Sequence, residues 1–470
     1  MTVTFSQALA SSRPSLRISA DAADRTAHAR DWWPRAAKWT DEELDRHRPD
    51  AVVFATGEED CIAVVAACRD TGTKLVTYGA GSGVVGAAVP DSGSVVIDMR
   101  GMSRIVAFNA TDGFVTVEPG CLGGELENWL NERGFTLGHY PQSLHLASIG
   151  GLISTRSTGT FSNKYGGIEE LVLALRVVGA DGSVTAFRNT PRNSSGPALQ
   201  QLFIGAEGTL GVITQATLRV FPRAERRIFE GYQFPSVAAG VEAVRKAYAA
   251  HLRPAVLRLY DETEAANLYR RVGRDSGPPL LIAGFEGLSG VAAAEQAAFA
   301  AIAKAEGGIS LGPDIGNAWE AHRFDANWLT AGNEGPRRMA DAIEIALPWS
   351  TLAEAHAAIT AEVAPYCATV MSHYSHFYST GGALYVIVLL EGADTASVLE
   401  QYRQVWDRVM RKALAFGGSL AHHHGVGRQR APFLPQELDG GHRLLQLVKA
   451  ALDPEGILNP GKLALNGAVQ

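Results

Sequence analysis

Between residues 49 and 100 the apolar positions alternate between strand and helix patterns. "AVVFAT" reads as a strand, "EEDCIAVVAACRDTG" as an amphipathic helix, and "KLVTYGAGSGVVGAAV" and "SVVIDM" as further β structure, a βαβ-like unit. In the helix Ile62, Val65, Ala66 and Arg69 follow the spacing i, i+3, i+4, i+7, an apolar stripe with a polar end. "FVTVEP" predicts another strand. "LGGELENWLNERG" predicts a second helix, with Leu122, Leu126, Trp129 and Leu130 on one face and Gly134 to end it. Residues 135–170 lose this periodicity and are rich in Gly, Ser, Thr and Asn, the texture of a long functional loop. Strands resume in "LVLALRVVGADGSV", with a hairpin turn at Asp181 and Gly182, and "GVITQATLRVFP" closes the unit near Pro222.

From residue 223 the pattern becomes alanine-rich helices between short strands, including "VAAGVEAVRKAYAAHL", "PLLIAGF", "DAIEIALPW" and "ALYVIVLL". That alternation predicts an α+β domain with helices on one face of an antiparallel sheet. The chain divides into an arm over 1–48, a first domain over 49–222, a second over 223–420, and a segment over 421–470 that packs back onto the others.

Composition narrows the class. With 470 residues, 46% of them hydrophobic, the chain supports globular cores. The formal charge of −7 comes from well-mixed signs, so no basic stripe exists to track nucleic acid. No run of about 18 apolar residues and no secretory leader pattern is present, and the expectation is a cytoplasmic protein without a transmembrane segment. Cys61, Cys68, Cys121 and Cys367 are too scattered for a disulfide framework; Cys61 and Cys68, two turns apart on one helical face, read as core thiols.

Two stretches carry candidate chemistry. "YGAGSGVVGA" (78–87) places Gly79, Gly81, Gly83 and Gly86 between two strands, where a turn can present successive N–H groups to an anion. No helix opens directly after it, so it departs from the Rossmann pattern. "AHHHGVGRQR" (421–430) holds three consecutive histidines, readable as metal ligands, acid/base groups or a solvated turn. On an extended segment His422 and His424 face one way and His423 the other, a poor arrangement for one ion.

Taken in order, "RPDAVVFATGEEDCIAVVAACRDTGTKLVTYGAGSGVVGAAV", "PQSLHLASIGGLISTRSTGTFSNKYGGIEEL" and "GAEGTLGVIT" resemble the FAD-binding domain of the vanillyl-alcohol oxidase and p-cresol methylhydroxylase superfamily. The resemblance implies a PCMH-type FAD-binding domain of two subdomains followed by an α+β, ferredoxin-like cap. It implies that Gly79, Ala80, Gly81, Ser82, Gly83 and Val84 hold the FAD pyrophosphate. Pro141, Ser143, Ser148, Ile149, Gly150, Gly151, Ser154, Thr155, Ser157 and Thr158 would follow the ribityl chain and flavin. Glu207, Gly208, Gly211 and Ile213 would lie near the adenosine or dimethylbenzene ends. The first glycine turn carries no histidine, which implies noncovalent FAD.

"AHHHGVGRQR", with "STRSTG", "NKYGGIEEL" and "LPW", is similar to alkyldihydroxyacetonephosphate synthases, flavoenzymes that exchange an acyl for an alkyl chain. By that likeness His423 and His424 face substrate as acid/base groups, Tyr378 in "SHFYSTGGALYV" is the catalytic tyrosine, and His422 and Arg428 return to the flavin with them. Thr330 stands where the synthases carry a substrate-holding arginine, which points to a less anionic substrate. The tail "LDPEGILNPGK" is instead similar to FAD-linked D-2-hydroxyacid dehydrogenases. Their metal-binding stretch survives here only as His376, and His423 replaces a ligating glutamate, so no metal is expected. A carboxylate-holding arginine on that model could be Arg323, Arg337, Arg338 or Arg428.

The combined reading is a FAD-dependent oxidoreductase that oxidises an alcohol or hydroxyl-bearing carbon of a small molecule. Tyr378 and His424 would take the hydroxyl proton while hydride passes to flavin N5, with O₂ or a carrier as the acceptor. The alternative is the non-redox alkyl-for-acyl exchange. The alanine-rich cap is compatible with a homodimer.

Overall fold

The computed structural model describes residues 4–325 and 331–465; Thr330 lies outside them. In the first sheet Ala51–Phe54 and Lys74–Tyr78 flank Ser94–Asp98 in parallel, and Ile18–Ser19 of the arm adds an antiparallel edge. The crossover helix Glu58–Thr71 starts with three acids that suit its positive end and stops at Gly72, whose φ is +69°. Cys61 and Cys68 are buried in the core between this helix and the sheet, and burial pushes both thiols up.

The second sheet is antiparallel, in the order Ile105–Asn109, Phe114–Val117, Val212–Arg219, Val172–Val178, Val184–Ala186. Its last two strands form the hairpin expected at Asp181 and Gly182. Helices Gly123–Asn131 and Ile149–Ser154 cover one face, burying Leu126, Leu130, Ile149 and Leu152. Residues 135–170 are therefore not one loop. They contain three short helices, Ile149–Ser154, Ser162–Tyr165 and Ile168–Leu171, too brief to leave a helical period in the sequence. The Ser148 side chain caps the first by accepting from Gly151 N.

The third sheet has seven strands, all paired antiparallel, in the order Ile309–Gly312, Arg226–Gln233, Leu280–Gly287, Val256–Tyr260, Thr369–Tyr378, Gly381–Glu391, Arg338–Pro348. Alternation along Val256–Tyr260 explains its two faces. Leu257 and Leu259 enter a core with helices Val237–Ala249, Ser289–Ala305, Trp349–Val363 and Thr395–Ala415, while Val256 and Tyr260 point the other way. That second face is not bare, contrary to the one-faced expectation. Helices Glu262–Arg271 and Pro313–His322 pack there through Leu268, Tyr269, Ile315 and Trp319.

The tail returns to the first sheet. Leu75 N donates to Ile457 O and Asn459 N to Leu75 O, and Asn459 Nδ2 bonds Ala87 O and Glu207 O. "NPGK" thus ties the first glycine turn to the Glu207 turn. Its lysine, Lys462, is fully buried on Val89 O and pulled down to about 7 by that burial. Among the described residues no helix is long and apolar enough to cross a membrane.

Candidate active site

A cavity of about 430 Å³ runs between the first two sheets and the second face of the third. One wall is the glycine-rich surface. Every residue expected at the cofactor lines it except Ile149, whose side chain is buried in the helix core. At Gly79 an added Cβ would stand 2.3 Å from Ser148 Oγ, so any larger residue in the first turn must displace the hydroxyl that caps the helix. The arm also reaches this wall. Asp31 and Trp32 line it, Trp32 N donates to Gly83 O, and burial pushes the Asp31 carboxyl up to about 7 against the amides of Trp33 and Ala88.

The opposite wall is built of side chains. His373 and Tyr385 are cross-strand partners whose rings stack at 4.6 Å. His373 Nδ1 meets Glu264 at 2.8 Å and Nε2 meets Arg258 Nη2 at 2.6 Å. Because the guanidinium only donates, His373 Nε2 accepts and its Nδ1–H donates to Glu264, which fixes a neutral tautomer. Arg258 Nε and Trp319 Nε1 both donate to Tyr260 Oη, at 3.0 and 2.7 Å. His376 Nε2 lies 2.7 Å from Gly159 O, joining this wall to the first.

The histidine triplet closes the cavity beside Tyr385. Amides of His422, His423 and His424 all donate to Glu344 Oε1, at 3.2, 3.0 and 2.7 Å, and Glu344 forms a fully buried ion pair with Arg430. Burial raises the Glu344 carboxyl, but Arg430, the neighbouring His424 and the histidine amides more than offset it and hold it below the usual range. Further along, Glu207 accepts from Val426 N at 2.6 Å and from Gly427 N at 3.0 Å. Two buried carboxylates, one from each wall, thus hold the backbone of this loop, and burial pushes Glu207 up. Gly427 is required, since a Cβ there would lie 2.2 Å from Val85 O.

Side chains in the triplet do different work. His423 Nε2 is 2.5 Å from Tyr385 Oη, and His424 Nε2 is 3.4 Å from it. His422 Nδ1 is 2.7 Å from His423 Nδ1, and His422 Nε2 is 2.5 Å from Tyr378 Oη. Burial pulls His422 down to about 4 and holds His423 and His424 below their ordinary value.

Of the residues singled out for chemistry, His423 and His424 line the cavity; His422, Tyr378 and Arg428 do not. Tyr378 is the last residue of its strand, opposite Gly381 at the hairpin end, whereas Tyr385 pairs with His373 in the middle. A register shift between Tyr374 and His376 breaks the alternation that sequence reading relies on. Arg428 instead pairs with Asp91 at 2.7 Å. Arg323 lines the cavity, Arg337 bonds Gly392 O, and Arg338 pairs with Glu391. Tyr385, His373, Arg258, Glu264 and Glu344 were missed. The available signal was polarity inside apolar strand runs, such as Glu344 in "DAIEIALP" and Tyr385 in "ALYVIVLL". None of the four cysteines lines the cavity, and among the described residues no group of three His, Cys, Asp or Glu side chains could hold a metal ion.

Comparison with known proteins gives two family matches, "FAD binding domain" over residues 49–188 and "FAD linked oxidases, C-terminal domain" over 223–463. An alkyldihydroxyacetonephosphate synthase of Trypanosoma brucei brucei is 30% identical over 454 residues, 88% of this chain and 73% of that protein. A probable mitochondrial D-lactate dehydrogenase of Danio rerio is 29% identical over 461 residues, 95% of this chain and 88% of that one. The solved structure of p-cresol methylhydroxylase with substrate bound superposes with a TM-score of 0.77 at 16% identity, covering 98% of this chain and 97% of that chain, a likeness of fold.

Proposed function

We propose, from the premise that this chain belongs to the FAD-linked oxidase family and has FAD as its cofactor, that it oxidises an alcohol or hydroxyl-bearing carbon. The carrying observation is the Tyr385–His423 pair on the cavity wall opposite the glycine turns.

The glycine wall fits the cofactor. Among the described residues the amides of residues 80–84 have no acceptor, and five successive free donors suit a pyrophosphate. Residues 79–84 would hold that group, and Ser148, Gly150, Gly151 and residues 154–158 the flavin end. Bound FAD supplies a hydride acceptor. The chain supplies the rest. Tyr385 Oη accepts the substrate hydroxyl proton, which replaces the earlier assignment to Tyr378, and His423 Nε2 takes up the proton that Tyr385 gives up. His424 flanks the same oxygen, and Arg258 holds His373 against the Tyr385 ring. The five histidines that line the cavity, His322, His373, His376, His423 and His424, all have hydrogen-bond partners, which supports noncovalent FAD.

The test is an anaerobic spectrum of the holoenzyme during addition of primary and secondary alcohols and 2-hydroxy acids. Bleaching of the oxidised flavin band by one class is the expected result. An intact band throughout favours the second reading, an alkyl-for-acyl exchange, which rests on the likeness to the synthase of Trypanosoma brucei brucei. Release of flavin by acid precipitation checks the noncovalent attachment.

A further inference from the structure

We infer that His423, His422 and Tyr378 form a proton wire that connects Tyr385 in the cavity to solvent. The inference rests on the proposed oxidation, which produces one hydroxyl proton inside the cavity. Four groups stand in line at hydrogen-bond distance: Tyr385 Oη to His423 Nε2 at 2.5 Å, His423 Nδ1 to His422 Nδ1 at 2.7 Å, and His422 Nε2 to Tyr378 Oη at 2.5 Å. The inner end lines the cavity, and the outer end, Tyr378, is 37% exposed.

The Nδ1-to-Nδ1 contact sets the logic. Two imidazole nitrogens this close share one proton, so one ring must donate and the other accept. Burial disfavours a second proton on either ring. Both rings are therefore neutral and of opposite tautomer, and two arrangements satisfy every contact. In the first, Tyr385 donates to His423 Nε2, His423 Nδ1–H donates to His422, and His422 Nε2–H donates to Tyr378. In the second, each of those protons sits on the other atom of its pair.

Passage of one proton converts the first arrangement to the second. The substrate O–H proton moves to Tyr385 Oη as the Tyr385 proton moves to His423 Nε2. The His423 Nδ1 proton moves to His422 Nδ1, the His422 Nε2 proton moves to Tyr378 Oη, and Tyr378 gives its own proton to water. One proton enters, one leaves, and all four groups end neutral. Inward passage of one proton restores the first arrangement. The triplet backbone, fixed by Glu344, holds the two rings in place.

Two measurements test the wire. In ¹⁵N-histidine-labelled holoenzyme at neutral pH without substrate, His422 and His423 should appear as neutral rings of opposite tautomer. Equal tautomers or a charged ring would overturn the wire and leave the oxidation untouched. With a substrate that bleaches the flavin, Tyr378→Phe and His422→Ala should slow anaerobic bleaching by roughly 10²-fold, the low end for general acid–base groups, at unchanged half-saturation. Added imidazole should restore part of the rate in His422→Ala. Wild-type rates in both variants, with full FAD content, would remove the wire while the oxidation stands. Failure of every compound to bleach the wild type would remove the oxidation instead, and the wire with it.

Discussion

The cavity wall from residues 79–213 is made largely of backbone, whereas the wall facing it is made of side chains. On the first, contiguous glycine, serine and threonine runs leave amides free, and their local turns need only neighbouring residues. On the second, Arg258, His373, Tyr385 and His423 come from four separate segments. They meet only because a seven-stranded sheet aligns them and buried carboxylates hold them. The contrast teaches a division of labour. A cofactor common to many reactions is gripped by conformation, and the group that moves protons is positioned by a charge network.

The sharpest break is Tyr385→Phe. It should lower the anaerobic bleaching rate by about 10²- to 10⁴-fold while FAD content stays at the wild-type level, separating the two walls in one variant. Next, Glu344→Gln strips Arg430 of its counter-charge in a site with no water exposure. Loss of one partner from a buried pair should destabilise the protein by about 3–5 kcal/mol, read by denaturant unfolding of the holoenzyme.

Gly79→Ala tests the backbone wall. The added Cβ meets Ser148 Oγ, and overpacking of this kind carries about 1–3 kcal/mol, so the expected outcome is roughly ten- to hundredfold weaker FAD retention, followed by flavin fluorescence on dilution. Equal retention in Gly79→Ala would break the comparison from the cofactor side.

The smallest effect is a pH slope. His422 is held down to about 4 from 6.5, so between these values the unfolded chain binds a proton that the folded protein refuses. Its contribution to stability therefore rises with pH from about 4 to about 6.5 and is flat above. Asp31, raised to about 7, acts in the opposite sense over an overlapping window, which makes a difference measurement necessary. Wild-type melting temperature should fall faster than that of His422→Ala as pH drops from 7 to 5.

Much of this could be read before folding. The crossover helix over 58–71, the Asp181 hairpin, the core thiols and the glycine turns follow from local periodicity and local turn chemistry, which short stretches encode by themselves. The motifs likewise carried the family and its FAD. Tertiary structure alone decided which tyrosine faces the cavity, because a register shift inside one strand and the length of its hairpin set side-chain direction. It also decided that Glu207 and Glu344 grip the histidine loop across 219 and 78 to 80 residues of chain. Such pairings depend on where burial leaves a charge in need of donors, and sequence order does not contain that information.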